Sequence, residues 1–260
     1  VAARRENRLF TEILIPVSGT VDSWQAFEQA LLIAQREDGR LRGLHVIPKE
    51  SEKATQQARR VQSEFLSRCQ AARIQGQMAI EIGGISRKIC ERARWVDLAV
   101  VSLAYPPGRY PFARLYSGFR TMVQRCPRPV VAVPGTPSPM KRALLAFDGS
   151  PKAMEALFVG TYLHVQWNTS LVLLTVTDGR KVTSEILDQA QQYLEDHGAN
   201  AIALNRSGPE AETILASAEE YECDMFIIGG YGMQPVQEVV LGSTVDQVLR
   251  ESKMPVMVCR

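Results

Sequence analysis

Hydrophobic residues come in short unbroken runs separated by amphipathic stretches. In the second half of the chain, 142–147 is a continuous apolar segment containing Ala143, Leu144, Leu145, Ala146 and Phe147. A helical stretch follows at 151–165, then a second apolar run at 170–176. Within 184–196, Ile186, Ala190 and Leu194 recur at i, i+4 and i+8, which is one face of a helix. The series continues with a short strand at 200–205 and a helix at 209–221. Pro209 suits that helix's first turn, and Ile214 and Ala218 share one of its faces. A strand at 224–228, a helix at 243–252 and a strand at 256–259 complete the pattern. The strand runs are apolar throughout instead of alternating. That predicts strands buried on both sides, in a parallel sheet with helices on two faces. Five strand–helix steps in about 120 residues predict a doubly wound α/β domain.

The pattern occurs twice. Ile13–Thr20 aligns with Ala143–Ser150 at an offset of 130, Asp97–Ser102 with Asp224–Gly229 at 127, and Pro129–Val133 with Pro255–Cys259 at 126. Three matched strands in one order at nearly one offset indicate a tandem repeat. The stretch Pro134-Gly135-Thr136-Pro137-Ser138-Pro139 can continue neither helix nor strand and marks the boundary. Two domains are therefore expected, 1–138 and 139–260. The first follows the same plan, with a longer cationic second helix at about 52–72.

Charge changes this picture and composition does not. The chain has 260 residues, 45% hydrophobic and 22% charged, and a net charge of +2. This is a globular profile with enough apolar content for a core. The total hides an asymmetry: residues 1–140 hold 21 Lys and Arg against 12 Asp and Glu, and residues 141–260 hold 9 against 16. Opposite-sign halves suit mutual attraction or different partners, or are two solvated surfaces. No apolar run reaches the roughly 18–20 residues a membrane span needs. Val1–Phe10 is charged and lacks the apolar core of a secretory signal. The five cysteines (Cys69, Cys90, Cys126, Cys223, Cys259) are odd in number and have no C-x-x-C spacing. That argues against a disulfide framework or zinc site and for a reducing, cytoplasmic location. The histidines His45, His164 and His197 are scattered.

In such sheets ligands bind beyond the carboxyl ends of the strands, where strand order reverses. In the second repeat those ends carry Asp148-Gly149-Ser150, after the first strand, and Gly229-Gly230-Tyr231-Gly232, after the fourth. Leu241-Gly242-Ser243-Thr244 opens the next helix, so the spacing is G-x2-G-x9-G-S-T. Glycine lets backbone approach a ligand closely, and a helix start offers free N–H groups and a positive dipole end to phosphate. Asp148 can accept hydrogen bonds from a ribose or an adenine amino group.

This repeat resembles the universal stress protein family, whose ATP-binding members carry G-x2-G-x9-G-[ST] and an Asp after the first strand. The resemblance covers the chain as two copies. It implies two doubly wound five-stranded parallel sheets of order 3-2-1-4-5, of the adenine-nucleotide-hydrolase-like type. It further implies pairing as a pseudo-dimer through the last strands, 130–133 and 256–259. ATP, with or without Mg²⁺, is the implied cofactor. Asp148 and the backbone at Val176 would face adenine, beside the strand ends Ala146, Phe147 and Ile228. Gly229 would lie by the ribose, and Gly232, Gly242, Ser243 and Thr244 would hold the phosphates. The glycines can equally serve only to shape tight loops. The expected role is that of a stress-response regulator binding ATP or another adenine nucleotide, with at most slow hydrolysis. A protein partner is expected but not identified, and a homodimer of the whole chain stays open.

The first repeat departs from the motif. Ser18 stands in place of Asp148, Ser102 of Gly229, Tyr105 of Gly232 and Tyr116 of Gly242, and only Ser117 matches, to Ser243. Tyr in place of Gly forces another loop path, so no family-type ATP site is expected there. Two other readings compete. One is an interaction scaffold with an empty cleft. The other is an ATP pyrophosphatase using Ser18-Gly19-Thr20-Val21-Asp22-Ser23, which resembles S-G-G-x-D-S. Asp178 with Asp148 reads first as a turn. Arg87, Lys88, Arg92 and Arg94 form a basic helix face, either solvated or available to an acidic partner.

Overall fold

The computed structural model describes residues 8–49, 51–104, 106, 118–177, 184–231 and 244–260. The motif residues Gly232, Gly242 and Ser243 lie outside this set, as do Tyr105, Tyr116, Ser117 and Asp178. The chain divides into two compact units. One joins residues up to Ala104 with Thr121–Pro137, and the other takes in Arg120 and Ser138–Arg260.

The first unit contains β1 (Glu12–Pro16), α1 (Val21–Glu37), β2 (Arg40–Ile47), α2 (Glu52–Ala71), β3 (Gln75–Ile82), α3 (Ile85–Ala93) and β4 (Leu98–Ser102). α4 (Gly118–Arg125) and β5 (Val130–Val133) follow. The sheet has the order β3-β2-β1-β4-β5 and every pair is parallel. The second unit contains β6 (Arg142–Ala146), α5 (Pro151–Trp167), β7 (Ser170–Thr177), α6 (Ser184–Asp196) and β8 (Ala201–Ser207). It ends with α7 (Glu210–Glu220), β9 (Met225–Gly229), α8 (Thr244–Glu251) and β10 (Val256–Cys259). Its order is β10-β9-β6-β7-β8, again all parallel. Each sheet is therefore 3-2-1-4-5, with the reversal beside its first strand. Right-handed crossovers running first one way and then the other place helices on both faces.

The two sheets share their registers. Ile13 faces Leu41 on β1–β2 and Ala143 faces Leu171 on β6–β7, both shifted by 130 residues. Ala99 faces Val130, and Phe226 faces Val256. The same aspartate anchors each first strand. Asp97 Oδ2 accepts from Glu12 N at 2.9 Å, and Asp224 Oδ1 accepts from Arg142 N at 2.9 Å. These carboxylates sit at the amino ends of the strands and tie down backbone, away from any ligand cleft. The helix caps repeat as well. Thr20 and Ser150 cap α1 and α5 through their hydroxyls, and Asp38 and Asn168 close them in the left-handed region at φ 48° and 58°.

The central strands are buried on both sides, as the unbroken apolar runs require: β4, β5, β9 and β10 have almost no exposed position. The outer strands correct that expectation. β3 and β8 are half-exposed along their length, and Ile82 is 50% exposed. They are the outermost strands of their sheets on this side, so fewer neighbours cover them.

In the first unit Phe65 of α2 reaches the sheet where Gly43 and Gly76 leave room for its ring, and meets Phe27 edge-on at 5.3 Å. Phe65 is fully buried. Phe65→Ala should therefore cost about 3–5 kcal/mol, the range for truncating a buried aromatic ring. Urea unfolding of the full chain checks this, and a loss under about 1 kcal/mol would contradict the packing described.

Candidate functional site

The site is built from the carboxyl tips of β6, β7 and β9. After Ala146, the chain passes through buried Phe147, whose N–H donates to Leu174 O at 2.9 Å. Asp148 is exposed, and its Oδ1 accepts from Ser150 N at 2.9 Å. Gly149 has φ +76°, and a Cβ there would press on Ile186 at 3.2 Å. This turn needs glycine for its backbone angle and its space alike. Ser150 then caps α5, accepting from Ala153 N at 3.2 Å. Beside the turn, between α5 and α6, lies a cavity of about 250 Å³. Phe147, Asp148, Gly149, Met154, Ile186 and Tyr193 help line it. It is a mostly apolar recess with one carboxylate among its lining.

On the other side of β6, Gly229 ends β9 against the first turn of α5. A Cβ there would lie 2.9 Å from Ala153 N and 3.0 Å from Lys152 C. Gly229 thus lets the helix start approach the strand tip. Ile228 is buried just before it. Val176 is half-buried near the end of β7. Thr244 opens α8, and its hydroxyl donates to Glu210 on α7. The described site residues Ala146, Phe147, Asp148, Ile228 and Gly229 are brought together, since Ala146 pairs with Ile228 and with Leu174.

Lys152 escapes a reading of the sequence. Its Nζ donates to Tyr231 O, so a cation crosses from the first turn of α5 to the chain after β9. One signal was available: a lysine in a helix's first turn opposes the helix dipole. α5 has no acidic residue there to offset it.

The other candidates have structural roles. In the first repeat Ser18 and Thr20 hydroxyls bond each other at 2.9 Å. Gly19 N donates to Ser23 Oγ, and Ser23 Oγ donates to Thr20 O. The hydroxyls of this loop are engaged in capping α1. A Cβ at Gly19 would meet Val61 at 2.8 Å and Gln57 at 3.3 Å, so α2 leans on the tip of β1. The basic face is largely neutralised: Lys88 pairs with Glu81 and Glu91, Arg92 with Glu81, and Arg87 with Glu91. His164 Nδ1 lies 2.9 Å from Thr169 O and His197 Nδ1 2.8 Å from Tyr193 O, both at helix ends. Among the described residues no cluster of His, Cys, Asp or Glu could hold a metal, and no helix is long and apolar enough to cross a membrane.

The sequence pattern described as "Universal stress protein family" matches residues 10–134 and again 139–260. The chain belongs to the universal stress protein family. A universal stress protein of Synechocystis is 23% identical over 166 residues, which are 63% of this chain and 58% of that protein. The chain thus matches little more than half of that relative. A universal stress protein of Bacillus subtilis is 24% identical over 46% of this chain and 98% of its own length. Among solved structures, a universal stress protein from Archaeoglobus fulgidus covers 98% of both chains at 21% identity with a TM-score of 0.83. That likeness is one of fold. Another member, solved in complex with cAMP, covers 46% of this chain at 22% identity and a TM-score of 0.41.

Every cysteine in the described residues is free, and burial makes several of them poor nucleophiles. Burial pushes the Cys69 and Cys223 thiols up to about 11, and raises Cys259 and Cys90 as well. A thiol at about 11 is about 0.1% thiolate at pH 8. Labelling of Cys69 and Cys223 in the native protein, followed by peptide mass spectrometry, should be slow at pH 8. It should rise about tenfold per pH unit toward 11. Rapid labelling at pH 7 would contradict this.

Proposed function

We propose that the second repeat binds one adenine nucleotide, ATP in the first instance, and that the chain acts as a nucleotide-responsive stress regulator. The observation that carries this reading is the cavity beside the tip of β6, between α5 and α6, apolar and aromatic in its walls, with Asp148 in its lining. A purine fits such walls, and its exocyclic amino group needs an acceptor such as the Asp148 carboxylate. The residues present fit the rest of the nucleotide. Gly229, which lets the first turn of α5 approach the strand tip, would lie by the ribose, with Ala146, Phe147, Val176 and Ile228 supplying the strand-end backbone around the base. Lys152 brings positive charge to the same strand tips. In the sequence, Gly232, Gly242 and Ser243 offer bare backbone and a hydroxyl, and Thr244 its backbone N–H, at the start of α8, where N–H groups favour phosphate. Mg²⁺, where it accompanies the nucleotide, would be held through the phosphates.

The first repeat has Ser18 where the carboxylate stands and carries Tyr105 and Tyr116 at motif glycines. It is assigned no nucleotide. Domains at 1–138 and 139–260, an unidentified protein partner and a cytoplasmic location complete the proposal.

Calorimetry of the full chain with ATP, ADP and cAMP, with and without Mg²⁺, tests it. One ATP site per chain is expected. Asp148→Ala should weaken ATP binding about tenfold or more, the loss of one charge-assisted hydrogen bond. Gly242→Val should abolish binding with the circular dichroism spectrum unchanged. No binding of any of the three nucleotides, or binding indifferent to both substitutions, would overturn the reading.

A further inference from the structure

Three residues in the second unit form a buried triangle. Asp246, in the first turn of α8, accepts from the Tyr231 hydroxyl through Oδ1 at 2.6 Å and from Arg120 Nη1 through Oδ2. The Arg120 guanidinium lies over the Tyr231 ring, 4.6 Å from its centroid. Side-chain exposure is 4% for Arg120 and 1% for Asp246, and Tyr231 is 2% exposed. A carboxylate removed from water in this way depends on its cation and its hydrogen-bond donor. An arginine fork that also stacks on an aromatic ring fixes both partners in orientation, which a lysine would not do.

The placement of the triangle gives it a role. Tyr231 follows Gly229 and Gly230 directly, and Asp246 lies two residues after Thr244. The triangle therefore fastens the chain leaving β9 to the chain entering α8. Between them in sequence run residues 232–243, which carry Gly232, Gly242 and Ser243. The third corner comes from elsewhere. Arg120 ends the portion of α4 that belongs to the second unit, but in sequence it falls inside the first family match, 10–134.

We propose that Arg120 is a positioning residue of the second repeat's site, acting through Asp246 to hold Tyr231 against the start of α8. A residue of the first sequence repeat thereby completes the site of the second, even though the first repeat itself departs from the motif. The consequence for ligand binding rests on the nucleotide reading above; the clamp itself does not.

The test uses the full chain in two arms. In the first, hydrogen exchange is followed by mass spectrometry without ligand. In Arg120→Ala, peptides covering Tyr231 and 244–251 should exchange at least about tenfold faster, with β7 and β8 unchanged within about twofold. In the second arm, Arg120→Ala should weaken ATP about tenfold or more and adenosine, which lacks phosphates, less than about twofold. Arg120→Lys should fall between. The Arg120→Ala/Asp246→Asn double variant should lose no more than Arg120→Ala alone, because the two act as one unit. Unchanged exchange, or exchange faster throughout the second unit, overturns the clamp. So does an equal loss of ATP and adenosine. If the wild-type chain binds neither ligand, the nucleotide reading fails and the exchange arm alone decides the clamp. If Arg120→Ala does not fold, Arg120→Lys carries the same comparisons.

Discussion

Within each unit every strand runs parallel to its neighbours, and this constraint decides where chemistry can occur. Parallel strands need crossover helices, and a sheet wound both ways from its first strand is covered on both faces. The interior is then closed to ligands. Only the strand tips stay open, and only beside β1 and β6 do the crossovers part company and leave a crevice. Everything of functional interest in the second unit follows from that geometry. The Asp148 turn, the Gly229 approach, Lys152 and the Tyr231–Asp246 contact all lie where β6, β7 and β9 end and α5 and α8 begin.

The two repeats share a scaffold and differ at its tips. Registers, anchoring aspartates and cap chemistry coincide, so one sheet could be laid on the other strand by strand within its own unit. At the tip of β1, though, the hydroxyls of Ser18, Thr20 and Ser23 bond within their own loop, and α2 presses Val61 toward Gly19. At the tip of β6 the equivalent turn borders a cavity and carries a carboxylate. Fold and strand-tip chemistry differ in how far they are shared within one chain: the two domains have one architecture and different residue types at their strand tips. This is the expected behaviour of a scaffold whose stability lies in its core and whose chemistry lies in its loops.

The sequence made the local features legible. Unbroken apolar runs predicted buried parallel strands, and the offsets of 130, 127 and 126 revealed the duplication. Asp148, Phe147, Ile228 and Gly229 fall together as the topology requires. Features created by distance along the chain were not legible. The half-exposed faces of β3 and β8 depend on which strands end up outermost, and an apolar run does not say that. Arg120 and Asp246 are 126 residues apart, and no local pattern pairs a cation at the start of one helix with an acid at the start of another. Lys152 was not singled out, because its partner is a backbone carbonyl 79 residues away.

If the second repeat is built to take a nucleotide and the first is not, the stoichiometry of binding must show it. The quantity to measure is the nucleotide held by the purified full chain after equilibration with saturating ATP, removal of free ligand and release by denaturation. One adenine nucleotide per chain is expected. Two per chain would show that the first repeat retains a working site despite Ser18, Tyr105 and Tyr116, and none would contradict the nucleotide reading altogether.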